Sequence, residues 1–297
     1  MSRRFQTLIC VFIAAALAAS EAGAQLVLPG AEPATAAGAK SSPAKARSGG
    51  ASKSAGSAAK SVKPGVVPDV AAIAGRPLML NGKSGLLQIS GDDKGATIDK
   101  LQLAGESVSD SSQHCVVDIV GENPIKATSV GRPDGLQRFE AAVPACPFSF
   151  DVLDGAALAP SQITACVFKA ADCQTGPGGL WGPDGASLVG DAATFAKERV
   201  EADKAMAKAV RAIQARATDN PDAADLIRDQ NGFAGQRDDT CRDYVKESVH
   251  GYCALRLTQA RAVLLETRLS EFAAAAAGKT ASEKPVKAKT KKKAKEP

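Results

Sequence analysis

Six cysteines, Cys115, Cys146, Cys166, Cys173, Cys241 and Cys253, stand downstream of a segment that has the character of an export leader. An even number of cysteines in that setting reads as a disulfide framework, because exported chains fold where thiols oxidise. Such a framework admits only topologies that bring paired Cα atoms within about 7 Å of each other. Many connectivities remain open on count alone. The rival use of cysteine, a structural metal, is not expected. The sequence has no CxxC pair, and His114 and His250 are its only histidines, so zinc-ligand spacing is missing and neither metal nor cofactor is expected.

The leader is residues 1–24. Arg3 and Arg4 give a positive start, Leu8 to Ala18 is an uninterrupted apolar run, and Ala22-Gly23-Ala24 offers small residues for cleavage before Gln25. The run is too short to span a bilayer, which takes about 20 apolar residues, so no transmembrane segment is expected after cleavage. Ser2-Arg3-Arg4-Phe5 hints at a twin-arginine signal, but the residues that follow do not continue it. Cys10 lies inside the apolar run, the wrong place for a lipid anchor.

The formal net charge of +5 hides an uneven spread. Residues 25–65 hold six basic side chains and one acidic, and residues 278–297 hold eight and two. The stretch between, 66–277, holds 21 basic against 28 acidic, so a mildly acidic fold carries basic flanks. Segment 25–65, rich in Ala, Ser, Gly and Lys, cannot bury enough apolar surface to offset its ordering entropy and is expected to be a disordered linker. The tail 278–297, with Lys291-Lys292-Lys293 at its centre, reads the same way. Both flanks suit anionic envelope polymers; export argues against nucleic acid as a partner.

Residues 66–173 read as a β-rich domain. Leu86 to Ile89, Ile98 to Leu103 and Cys115 to Val120 are short runs rich in apolar residues. Phe148, Phe150 and Val152 alternate with Ser149, Asp151 and Leu153, and Ile163 to Phe168 repeats that period of two. Asn81-Gly82, Gly91-Asp92-Asp93, Glu122-Asn123-Pro124, Arg132 to Gly135 and Asp154-Gly155 mark the turns. Short strands at regular spacing predict a small β-sandwich or barrel.

Residues 174–277 read as a helical domain behind an entry loop, Gln174 to Asp184, that carries the only tryptophan, Trp181. Phe195, Ala202, Met206, Val210 and Ile213 are spaced for one helix face. Asn220-Pro221 is a helix start, a capping side chain followed by proline in the first turn. Ile227, Ala234, Cys241 and Val245 suggest a second stripe. Gly251 breaks it, and Leu257, Leu264, Leu265, Leu269 and Phe272 supply a third. The expected fold class is therefore α+β, a small N-terminal sandwich or barrel followed by a disulfide-bonded antiparallel bundle of three helices, with disordered tails.

Within the second stripe, Gln230, Phe233, Arg237 and Cys241 share one face, which directs Phe233 into the bundle and Arg237 toward an acid on a neighbouring helix. Asp238 and Asp239 fall on the solvated side. A bond between Cys241 and Cys253 would stabilise the fold by about 3 kcal/mol in the loop-entropy model. It also requires the helix to end or kink before Glu247. At about 1.5 Å per residue, an unbroken helix would carry Cys241 too far from the turn.

The pattern from Asp229 to Arg261 resembles the cysteine-containing helical domain of LprI-type lysozyme inhibitors. That family shows an acidic residue, Gln, an aromatic three residues later, Arg-Asp, a Cys, a second Cys and a following Arg. Gln230, Phe233, Arg237, Asp238, Cys241, Cys253 and Arg261 occupy the matching positions. Phe233 stands where the family usually has Trp. The resemblance covers about residues 166–270, and Cys166 and Cys173 correspond to its upstream cysteines. The favoured pairing is Cys115–Cys146, Cys166–Cys173 and Cys241–Cys253, with other connectivities open.

No enzyme is expected. Each histidine lies beside or near a cysteine of the framework, no pair of carboxylates stands out among the acids, and Gly178-Gly179 lacks the residues of a phosphate loop. The resemblance implies an exported envelope protein that binds and inhibits a lysozyme-type muramidase, and an acidic fold suits a basic enzyme through electrostatic steering. The alternative is a structural, cell-wall-associated protein held by its basic tails. A third reading places Trp181 as a sugar platform or, more simply, as a plug over the seam between the two domains.

Overall fold

The computed structural model describes residues 67–161 and 165–282. The leader, the segment 25–65 and the lysine run Lys291-Lys292-Lys293 lie outside the described residues, as does the start of the run read from Ile163.

Eight antiparallel strands close into a barrel. They are β1 (Leu78–Leu80), β2 (Ser84–Asp92), β3 (Gly95–Ser107), β5 (Ile125–Ser129), β6 (Arg138–Ala141), β7 (Phe148–Leu153), β8 (Ala156–Ala159) and β11 (Gly179–Gly182). Their order around the ring is β2-β1-β11-β8-β7-β6-β5-β3, and pairing of β3 with β2 closes it. Of the two folds predicted, the barrel is the one formed. Closure removes the free edges that an open sheet of this size would expose.

The strands are built by the expected patterns. The hairpin from β1 to β2 turns at Asn81 and Gly82, at φ 51° and 64°, in the left-handed region that such turns require. Alternation along β7 sends Phe148, Phe150 and Val152 into the barrel, where Phe139 and Phe150 stack at 5.6 Å. Trp181 fills the same core with no exposed surface, its indole Nε1–H donating to the Pro177 carbonyl at 2.8 Å. It is neither a sugar platform nor a plug over a seam, and it sits on a barrel strand, β11, rather than in an entry loop. Gly85 makes room for it. At φ 65° a Cβ there would lie 2.6 Å from the Gln102 carbonyl oxygen and 3.2 Å from the indole.

β3 outruns the barrel, and its far end is widened by β4 (His114–Asp118), β10 (Cys173–Thr175) and β9 (Cys166–Phe168). The disulfides pin this extension. Cys115 on β4 bonds Cys173 on β10, and Cys146 bonds Cys166 on β9. The expected pairs Cys115–Cys146 and Cys166–Cys173 are therefore wrong, because the two ladders set opposite Ser107 and Gly105 of β3 bring Cys173 and Cys115 together. Cys241–Cys253 forms as expected, at a Cα separation of 5.6 Å.

Among the described residues four α-helices follow rather than three: α1 (Ala192–Gln214), α2 (Pro221–Cys241), the single turn α3 (Glu247–His250) and α4 (Tyr252–Ser282). Asn220 caps α2 by accepting from the amides of Asp222 and Ala223. α2 stops at Cys241, which resolves the reach of the disulfide, and Gly251 at φ 65° separates α3 from α4. α4 runs past Gly278, into the segment read as tail. Phe195 meets Tyr252 near the starts of α1 and α4, while Ile213 clusters with Leu265 further along both, so these two helices are parallel and α2 runs back beside them. No helix among the described residues is long and apolar enough to cross a membrane.

Helices and barrel share one apolar cluster, with Leu153 and Leu180 from the strands and Leu136 from the segment before β6 against Phe195, Tyr244, Tyr252 and Leu255. Inside this seam Arg256 is 5% exposed, 3.0 Å from Asp154 of the β7–β8 turn and 3.6 Å from Glu198 of α1. Its guanidinium also lies 4.9 Å from the centre of the Tyr252 ring. Burial pulls the Arg256 pKa down, but Tyr252, Asp154 and Glu198 outweigh that and hold it above its ordinary value.

Two results should follow. Mass mapping of the unreduced chain should return Cys115–Cys173, Cys146–Cys166 and Cys241–Cys253; a Cys166–Cys173 peptide would contradict the extension described here. Arg256→Ala should cost about 3–5 kcal/mol in denaturant unfolding, because it strands two buried carboxylates. A loss below about 1 kcal/mol would show that the charges are met by water instead.

Candidate functional site

The motif residues come together where α2 crosses α4. The Arg261 Nε–H donates to Gln230 Oε1 at 2.7 Å, joining the two helices. The Phe233 ring meets two guanidiniums, with Arg261 at 5.5 Å and Arg237 at 5.8 Å from its centre. Cation–π contacts of this kind contribute about 0.5–1 kcal/mol each when partly exposed. Cys241–Cys253 closes the end of the same helix pair. Asp238 alone faces away, exposed, and accepts from Arg237 at 2.9 Å. The expectation that Arg237 reaches an acid on a neighbouring helix is thus incorrect; its nearest carboxylate is its own chain neighbour. Ala234, placed on the buried stripe by its spacing, is exposed, and the face that packs is Ala223, Gln230, Phe233 and Cys241.

The connection after the disulfide is stiffened by polar groups. The Glu247 carboxylate accepts from the amides of Cys253 and Ala254 at 3.0 and 2.9 Å, capping the start of α4. The His250 Nδ1 accepts from the Tyr252 amide at 3.1 Å, and its Nε2 lies 2.8 Å from the Val245 carbonyl. Tyr244 donates to the Pro183 carbonyl at 2.7 Å and Tyr252 to that of Gly155 at 2.9 Å, so the connection is tied to the barrel as well. Gly82 is held by the same contact: a Cβ there would fall 2.8 Å from the Tyr244 ring.

Between α2, α4 and the barrel lies an open groove of about 240 Å³. Its apolar wall is Leu136, Leu158, Leu257 and Leu264, and its polar groups include Arg138, Arg237 and Arg261. Arg138 is held by Asp151 at 2.6 Å and Asp134 at 2.9 Å. The hydrogen bond that Arg138 donates to Asp151 is the main reason its pKa is raised. Arg268 of α4 joins the same Asp134 at 2.9 Å. On the other side of Arg261 a second hollow of about 400 Å³ is rimmed by Asp222, Asp225, Asp229 and Glu271. The arrangement offers a rigid surface with charge of both signs and one partly apolar recess. Arg138, Asp151, Arg256 and Asp154 were missed by sequence reasoning. An arginine between Leu255 and Leu257 in an apolar helix was the available signal for Arg256.

No family model, no curated protein and no solved structure matches this chain.

Burial raises the Glu247 pKa above 4.5, against the pull of the two amide donors from Ala254 and Cys253. The folded chain therefore holds this proton more tightly than the unfolded one, and the contribution to stability is complete at low pH and lost as pH rises through the folded value. Glu247→Gln, which cannot ionise, should gain stability relative to the parent as pH climbs from about 4 to 7. Thermal unfolding of both chains across that range checks this; a constant difference would contradict it.

Proposed function

We propose that this chain is an exported binding protein of the cell envelope that inhibits a lysozyme-type muramidase. The observation that carries this reading is the run of exposed acids along α2, which is anchored at its end by a disulfide: Asp225, Asp238 and Asp239 pair with Arg228, Arg237 and Arg242, while Asp222 and Asp229 make no ion pair among the described residues. Exposed carboxylates on a fixed helix are complementary to a basic enzyme, and association steered by charge is fast without large ordering costs. The likeness of Gln230, Phe233, Arg237, Asp238, Cys241, Cys253 and Arg261 to the LprI-type inhibitor domain supports the same role. In this chain those residues, Asp238 aside, act as the clasp that holds the helix in place. Three disulfides and the leader-like first residues support export.

A second reading, a wall-associated protein held by its basic segments, is favoured by the eight basic residues in 278–297. Lysis of cell walls by a basic lysozyme, with the chain from Gln25 added oxidised or reduced, separates the two. The inhibitor should act in proportion to dose, weaken with salt, lose activity on reduction and retain it without residues 283–297. Asp238→Lys with Asp239→Lys should slow association about tenfold or more. An oxidised, folded sample that leaves lysis untouched would overturn the inhibitor reading. Wall binding that vanishes without the tail would favour the second.

A further inference from the structure

Three guanidiniums line the groove between α2, α4 and the barrel, and only two of them touch a carboxylate. Arg138 is gripped by Asp151 and Asp134, and Arg237 by Asp238. Arg261 makes one hydrogen bond among the described residues, to the neutral amide oxygen of Gln230, and rests against Phe233. Its Nη2 is shielded from water and has no hydrogen-bond partner among the described residues. Desolvation holds its pKa below the ordinary arginine value, and Asp229 and Asp134 counter that only from a distance. A partly buried cation with no contacting anion is a costly arrangement unless something else meets the charge.

We propose that the groove is a binding site for a small carboxylate with an apolar body, its carboxylate met by Arg261 and its body by Leu136, Leu158 and Leu257. With Nε committed to Gln230 and Nη2 shielded, Nη1 is the guanidinium nitrogen left to donate to a carboxylate oxygen, a charge-assisted hydrogen bond. The groove's own acids, Asp134 and Asp151, disfavour a doubly charged phosphate. Its volume of about 240 Å³ and its leucine wall suit a body of the size of one large apolar residue. The site is independent of muramidase inhibition, since none of the exposed acids of α2 lines the groove.

The test is NMR titration of the oxidised full chain with N-acetyl-L-leucine, following the arginine guanidinium and leucine methyl resonances. The uncharged N-acetyl-L-leucinamide and inorganic phosphate serve as comparisons. The acid should move the resonances of Arg261 and of the leucine wall, and the amide should bind about tenfold more weakly or less. Arg261→Gln should weaken the acid by a similar factor, and Ala260→Phe, which fills the groove and keeps the guanidinium, should block it. Should Arg261→Gln not fold, the comparison of acid with amide and the Ala260→Phe chain still decide. Equal binding of acid and amide, equal response to phosphate, or no response in the folded parent would overturn the proposal.

Discussion

The charge of Arg256 is the constraint around which barrel and helices are arranged. It enters the seam from α4 and can be tolerated there only if anions reach it from both neighbours. Asp154 comes from the tip of the β7–β8 hairpin and Glu198 from the first turns of α1, so their meeting fixes where both elements lie against α4. Tyr252 lies under the guanidinium and donates to the carbonyl of Gly155, extending the same junction by one more contact. A buried ion pair adds little net stability compared with apolar packing, yet its geometry is demanding, and it specifies one docking orientation over others.

That junction sets the position of everything beyond it. α4 carries Arg256 and, further along the helix, Arg261 and Arg268, so the clasp with α2 and the link to Asp134 inherit the orientation fixed at the seam. The Cys241–Cys253 bond and the Glu247 cap hold the other end of α2 close to the start of α4. The result is a helix whose acids are exposed and whose aromatic ring is in contact with two cations. A recess remains beside the barrel because the leucines of α4 and the strands do not fully meet there.

Much of this was legible in the sequence because it depends on short-range pattern. Alternation along Phe148 to Leu153, the Asn81-Gly82 turn, the Asn220 cap and the break at Gly251 each follow from local backbone and solvent preference. The face formed by Gln230, Phe233, Arg237 and Cys241 was correct for the same reason. What was not legible depends on contacts between distant segments. β8 is Ala156 to Ala159 and β11 contains Gly179 and Gly182, small residues without a strand signature, and both become strands only because the ring needs them. Disulfide partners follow strand register, so Cys115 and Cys173 could be paired only once both were laid against the end of β3. Arg237 pairs with the adjacent Asp238 and not with an acid of another helix, an outcome of side-chain placement that spacing along α2 does not reveal.

Native-state hydrogen exchange with increasing denaturant tests most directly whether barrel and helices form one cooperative unit. Amides of β7, β11 and the first half of α4 should open with the same free energy, and Arg256→Ala should lower it for all of them together. Exchange of α1 and α4 through an opening well below that of the barrel strands, untouched by the substitution, would contradict the dependence of the fold on this buried charge.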